Sequence, residues 1–211
     1  EGKYAILNED VRIGKNTFVG TGVIIRQGTV IGDNCHIGTG AIIGDNVKIG
    51  NNVKIEENVT IRSNVEIGND VSIGAAANLE SNITIKDKIR IGPLARIFNV
   101  GRKRAQLEST DDRKVISTII EGGTFVGSGA IVGGKIGNNV MVGSNAIVHT
   151  ACIEAGVTIG SGAVVPYGGQ VESGLTVIGS PAKPISDYKE EKRLMNFLNA
   201  KYQTEINSQT D

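Results

Sequence analysis

TVIGDNCHIGTGAIIGDNVKIGNN, residues 29–52, repeats one unit: an aliphatic residue in third place, glycine after it, and Asn or Gly in sixth. Extended both ways, every sixth residue from Leu7 through Ile13, Val19, Ile25 and onward to Ile91 and Ile97 is Leu, Ile or Val. A helix cannot hold such a series on one face, and an ordinary strand alternates with a period of two. A strict period of six means a solenoid of stacked coils.

The other places of the unit agree. Two before the aliphatic stands a small or β-branched residue, as at Val23, Thr29, Cys35, Ala41 and Val47. Two inward residues flanking one outward residue make a short, half-buried strand. Three after the aliphatic stands Asn or Gly almost throughout, as at Asn34, Gly40, Asn46, Asn52 and Asn58. These residues tolerate positive φ, so each unit is expected to end in a tight corner. The expected fold is an all-β solenoid whose sides stack as parallel sheets.

Composition narrows the function. The 211 residues carry 22 basic and 22 acidic side chains and no net charge, so nothing favours a grip on nucleic acid or on a membrane surface. No apolar run reaches spanning length and no signal peptide is visible, so a cytoplasmic protein is expected, although the chain starts at Glu1 without Met. Cys35 and Cys152 are read as reduced structural thiols that behave as small buried hydrophobes.

Function is sought where the period breaks. After Ile97 the next aliphatic in pattern is Ile120, out of register, and the segment between is polar and charged. This excursion, residues 98–117, is the kind of long loop that carries function in a regular scaffold. The corner code fades just before it, with Lys88, Leu94 and Val100 in place of Asn or Gly. The repeat then slips by two between Val132 and Ile136 and by one between Val148 and Ile153. Each shortened unit should tighten or move a corner, and the second brackets His149. From Ser186, a plausible helix N-cap, a helix is expected to lay Tyr188, Met195, Leu198 and Tyr202 against the solenoid or a neighbouring subunit. The division is therefore a β-helix over 1–185 and a helix with a tail over 186–211.

With these residues in view, the chain resembles the hexapeptide-repeat family over roughly residues 5 to 185. The resemblance implies a left-handed parallel β-helix of three units per coil, the excursion and the C-terminal helix being additions to it. It also implies a homotrimer with sites between subunits. IGSGAVV, residues 159–165, and GSPAK, residues 179–183, are similar to the ending of acyl-CoA-dependent acyltransferases of this family. That likeness implies that acetyl-CoA or another acyl-CoA lies along Ser161, Gly162 and Ala163, with Ser180 and Lys183 also contributing. Glycine admits close approach to backbone, and Lys183 offers a point charge to phosphate. The same ending also closes solenoids that bind nothing.

IGPLARIFNVGRKR, residues 91–104, resembles a motif of nucleotide-sugar N-acetyltransferases, in which the residue at Asn99 contacts the acceptor near its amine. The chain departs from that motif at Val100, where the family has Asp. Asn99 either orients the amine or simply turns the corner. SNAIVHTACIEAG, residues 144–156, resembles a stretch of amino-sugar acetyltransferases whose histidine is the general base, which implies that role for His149. Histidine as a residue type suits the task, because it exchanges protons near neutrality. A surface corner histidine is the plain alternative. His36 is read as exposed and structural. Arg102, Lys103 and Arg104 on the excursion suit a diphosphate, and Asp111 suits a sugar amine or hydroxyl, although this mixed charge also fits a solvated loop.

The expected activity is therefore transfer of an acyl group, most simply acetyl, to the amine of a nucleotide-linked sugar, with no metal. A sugar O-acetyltransferase and a non-catalytic β-helix scaffold are the alternatives. A γ-carbonic-anhydrase-like metal site needs three histidines, and the chain has two. A nucleotidyltransferase is not expected, because no separate nucleotide-binding domain precedes the repeat.

Overall fold

A computed structural model describes residues 6–99 and 117–208, with backbone alone for Thr150 and for residues 198–208. It is a parallel β-solenoid of about nine turns followed by a single helix. Each coil has three sides. Ile6–Leu7, Ile24–Ile25, Ile42–Ile43, Thr60–Ile61, Asn78–Leu79 and Arg96–Ile97 stack on the first face. The second face runs from Arg12–Ile13 through Val30–Ile31 and Lys48–Ile49, and the third from Phe18–Val19 through His36–Ile37 and Lys54–Ile55.

The unit of the sequence is the side of the polygon. Ile25, Ile43, Ile61, Leu79 and Ile97 are at most 1% exposed, as are Val23, Ala41, Val59 and Ala77 two residues before the first four. Among the described residues the core is a column of aliphatics with no ring in it. Three buried threonines, Thr29, Thr118 and Thr124, occupy inward places without an unmet polar group. Thr29 Oγ1, for example, donates to the Gly44 carbonyl at 2.8 Å and accepts from the Val47 amide at 3.2 Å, stitching one coil to the next.

The corners follow the Asn/Gly code. Asn16, Asn34, Asn46, Asn52, Asn58 and Asn64 have φ between 55° and 59°. Lys88 and Leu94, where the code fades, take φ of 59° all the same. The repeat imposes the left-handed corner even on residues that disfavour it. Leu94 is doubly unfavourable, since it is also 68% exposed.

The excursion leaves the register of the coils intact. Ile120, out of step in sequence, lies on the second face directly beside Ile85. Thr118 closes the gap: its hydroxyl donates to the Phe98 carbonyl at 2.7 Å and accepts from the Gly134 amide at 3.0 Å.

Two expectations need correction. Cys35 is buried, with burial raising its thiol pKa, whereas Cys152 is exposed. Cys35 stands two residues before an aliphatic and Cys152 only one before, which turns Cys152 outward. The helix spans Ile185–Ser208, so Ser186 lies inside its first turn, where its hydroxyl donates to Asp187 Oδ1 at 3.0 Å. Of the two surfaces expected for its apolar stripe, the solenoid of this chain receives little of it among the described side chains. Tyr188 is half-buried over Gly179, but Leu194, Met195 and Phe197 are 57%, 57% and 66% exposed. The side chains of Leu198 and Tyr202 lie outside the described residues. No helix among the described residues is long and apolar enough to cross a membrane.

Two outcomes test this arrangement. In the folded protein a thiol reagent should modify Cys152 within minutes and Cys35 only after denaturant is added, as counted by mass spectrometry. Leu94→Gly should raise stability by about 1 kcal/mol through relief of the left-handed corner, read from the urea midpoint.

Candidate functional site

The irregularities of the repeat meet in space. Ile97, Val132 and Val148 are neighbours on the first face, because Arg96–Ile97 pairs with Ile131–Val132, which pairs with Ile147–Val148. The excursion follows the first of these, the slip of two follows the second, and the slip of one follows the third. All three breaks therefore stack at one corner, between the first and second faces, in successive coils.

The slips do not merely tighten that corner. They remove its turn, so that Ile131–Ile136 and Ile147–Ile153 become continuous strands that pass from one face to the other. The lower strand has six residues and the upper seven, which leaves one residue too many above. The pairing shifts between Val132 and Gly134: Val132 faces Val148, but Gly134 faces Ala151. His149 and Thr150 together oppose Gly133, and this is a β-bulge. Bulges re-aim side chains, and they concentrate beside active sites.

His149 is exposed on the bulge with an aromatic ring on either side. Phe98 meets it edge-on at 5.6 Å between ring centroids, and Tyr167 lies tilted at 5.7 Å. Phe98 comes from two coils below, Tyr167 from the coil above. Between Phe98 and His149 lies Gly133, buried under the Phe98 ring, where a Cβ would stand 2.6 to 2.9 Å from the ring atoms. The neighbouring Gly134 has φ of 107°, and a Cβ there would collide with the backbone of Ala151.

Asn99 stands at the same corner, in the coil of Phe98. Its Nδ2 donates to the Ser81 carbonyl at 3.0 Å, while its Oδ1 is buried with no hydrogen-bond partner among the described residues. A buried acceptor without a donor is costly, so among the described residues this amide is left short of an N–H or O–H. The backbones of Asn99 and His149 are two coils apart, roughly 10 Å at the usual strand spacing.

The other candidate residues gather at a different corner, between the third and first faces. Ser161 and Gly162 are exposed, Gly162 with φ of 68° and open space where a Cβ would be. Ala163 points its side chain into the core, donates its N–H to Gly160 and accepts from Ile147 at 2.8 Å. Above it, Val164 donates to Gly179 and accepts from Ala182, which places the GSPAK segment over the same edge of the first face. Ser180 is exposed there. Lys183 is about half exposed and pairs with Glu191 of the helix at 3.3 Å. The Ser161 corner and the His149 corner are opposite edges of one face. Arg102, Lys103, Arg104 and Asp111 lie outside the described residues.

His36 is exposed, as expected, and stacks on Phe18 at 4.9 Å far down the third face. Among the described residues no group of three or more His, Cys, Asp and Glu side chains is placed to hold a metal ion. The sequence singles out His149 and Asn99, and the structure adds Phe98, Gly133 and Tyr167 as their neighbours at this corner. The signal for Gly133 was present: the unit that slips by two carries adjacent glycines at 133 and 134.

Comparison with known proteins agrees with this architecture. Models of two hexapeptide families match: the bacterial transferase hexapeptide (six repeats) over residues 28–63, and the hexapeptide repeat of succinyl-transferase over residues 10–44, 117–149 and 134–168. Together they cover about half of the chain. No curated protein matches it in sequence.

Among solved structures, UDP-N-acetylglucosamine acyltransferase from Campylobacter jejuni is 15% identical at a TM-score of 0.53, over 87% of this chain and 73% of that one. The acetyltransferase domain of PglB from Neisseria gonorrhoeae is 18% identical at 0.36, over 85% of this chain and 54% of that one. A mutant perosamine N-acetyltransferase from Caulobacter crescentus, solved with CoA and GDP-perosamine, is 19% identical at 0.28, over 85% and 52%. The chain thus spans about half the length of these last two.

The two glycines at the corner should respond differently to a methyl group. Gly134→Ala should cost about 2 kcal/mol or more, because it forces an L residue into a disfavoured φ against backbone, and should lower the thermal midpoint by several degrees.

Proposed function

Because the chain belongs to the hexapeptide-repeat family, we propose that it transfers an acyl group from an acyl-CoA, most simply acetyl-CoA, to the amine of a nucleotide-linked amino sugar. The observation that carries this reading is the corner itself. Three successive breaks in an otherwise unbroken repeat converge on one exposed histidine, lifted out by a bulge and flanked by rings.

The chemistry follows from the residues. The acceptor amine attacks the thioester carbonyl carbon, forming the new C–N bond and a tetrahedral intermediate. Collapse of the intermediate breaks the C–S bond and releases CoA as its thiolate. The proton lost by the amine passes to the imidazole of His149, whose exposed position lets it reach an acceptor in solution. Asn99 holds the amine through its unmet Oδ1, which fixes the direction of attack. Arg102, Lys103 and Arg104 meet the nucleotide diphosphate, with Asp111 on the sugar.

On the donor side, the pantetheine arm lies against the open corner at Ser161 and Gly162, where no side chain obstructs the backbone. The backbone groups of Ala163 are engaged within the solenoid, so its part is to keep that corner small. Ser180 bounds the same edge. Lys183 serves a CoA phosphate by leaving Glu191, and this exchange is easy because an exposed ion pair of this kind is worth about 1 kcal/mol or less.

The donor corner and His149 occupy opposite edges of the first face, with about 13 Å of strand between Gly162 and Pro166. That separation supports a homotrimer in which neighbouring copies complete each site. Structures solved with CoA and a nucleotide sugar exist among proteins of similar fold, and they supply the ligands to try first.

Calorimetric titration with acetyl-CoA, followed by a panel of amino-sugar nucleotides, tests the proposal. Saturable binding and acetylation of an amine are expected, and His149→Ala should lower kcat by about a hundredfold or more. Lys183→Ala should weaken CoA binding by about tenfold, whereas Glu191→Gln, which removes the competing carboxylate, should tighten it a few-fold. Folded protein that shows no CoA binding overturns the proposal in favour of a scaffold. Acetylation of hydroxyl-bearing sugars alone makes the protein an O-acetyltransferase.

A further inference from the structure

The contact between Phe98 and His149 spans a distance that neighbouring coils do not normally allow. Outward side chains in a stacked sheet meet the coil immediately above or below, roughly 4.8 Å away. Phe98 and His149 are two coils apart, yet their ring centroids lie 5.6 Å from one another. The intervening place is Gly133. It has no side chain, and the Phe98 ring lies across it so closely that a Cβ would stand 2.6 Å from the Phe98 Cζ. Gly133 is not among the residues with positive φ, so the backbone here does not call for glycine. The space does.

We infer that Gly133 is an empty rung that lets Phe98 reach past one coil and fix the imidazole of His149. Gly133 and Phe98 are thus positioning residues, with Tyr167 closing the far side of the ring. The bulge supplies the second half of the device. An extra residue at His149–Thr150 interrupts the strand pairing locally, and lateral packing gives the histidine there one direction. Phe98 edge-on and Tyr167 tilted provide it without taking a hydrogen bond from either ring nitrogen, which leaves the imidazole free for proton exchange. Thr118 holds the base of Phe98 through the bond to its carbonyl and ties the same hydroxyl to Gly134. The foot of the aromatic clamp and the shortened corner are therefore coupled by one side chain.

The importance of the clamp for turnover rests on the proposed role of His149, but its geometry can be tested without any activity. The atoms that would meet a Cβ at Gly133 are at the far end of the Phe98 ring, so Gly133→Ala should fold and simply push the ring aside. The experiment records the ring C–H correlations of the two histidines by NMR in the full chain, with His36 as the internal reference. Steady-state kcat and the KM for acetyl-CoA are measured on the same samples.

In Gly133→Ala the His149 signals should move as the ring current of Phe98 is lost, while those of His36 stay put. The kcat should fall between about tenfold and a hundredfold, with KM for acetyl-CoA changed by less than about twofold. Phe98→Leu, which leaves the backbone untouched, should reproduce both effects. His149 signals that stay in place in both Gly133→Ala and Phe98→Leu overturn the clamp, as does unchanged kcat once those signals have moved. A wild-type chain with no transferase activity overturns the proposed reaction alone, since the NMR comparison still decides whether Gly133 governs the imidazole.

Discussion

The backbone hydrogen bond from each coil to the next is the constraint on which the whole molecule hangs. On the first face the Ile24 amide donates to the Ala41 carbonyl, the Ile42 amide to Val59, and the Thr60 amide to Ala77. In each of these strand bonds donor and acceptor are seventeen residues apart, because a regular coil is three units of six. The ladder leaves no freedom along the strands. An insertion on a face would turn every later side chain to the wrong side, as a one-residue shift does in any sheet. Departures from the repeat can therefore sit only at corners, and a corner that departs in several coils builds a vertical column of non-repeating chemistry. The candidate site is such a column.

The fold was legible because the residue pattern and the backbone geometry carry the same period. An aliphatic at every sixth place and Asn or Gly three later specify the inward residue and the left-handed turn separately, and both hold in the structure. Even Lys88 and Leu94, which break the code, follow the geometry, because the ladders on either side dictate their φ. The helix was less legible. Its apolar residues share a period with the amphipathic pattern, but periodicity cannot tell whether a surface exists for them to cover. Beyond Tyr188, the described side chains find none on this chain.

The site was half legible. His149, Asn99 and the breaks could be read from the sequence, since each is a departure from a ruler. Their convergence could not be read from any one of them, because residues 97, 132 and 148 become neighbours only when whole coils are counted across an excursion and a slip. Phe98, Gly133 and Tyr167 stayed hidden for a different reason. An outward aromatic beside a glycine two coils from a histidine has no linear spacing that marks it. The adjacent glycines at 133 and 134 mark the rung that joins them, but nothing in the linear order says which rings meet there. Cys152 shows the same limit on a smaller scale, since one place in the unit separates a buried thiol from an exposed one.

The end of the solenoid has a consequence for how the molecule behaves at high concentration. Every pairing between strands of successive coils is parallel, but the last strand, Lys183–Pro184, runs antiparallel against Thr176–Ile178. A stack of parallel coils is by nature an open template that a second molecule could extend end to end. Reversing the final strand presents the wrong hydrogen-bond pattern for such growth, and Pro184 withholds an amide from it. The C-terminal end is thereby a terminator, and it makes a fold built on repetition finite.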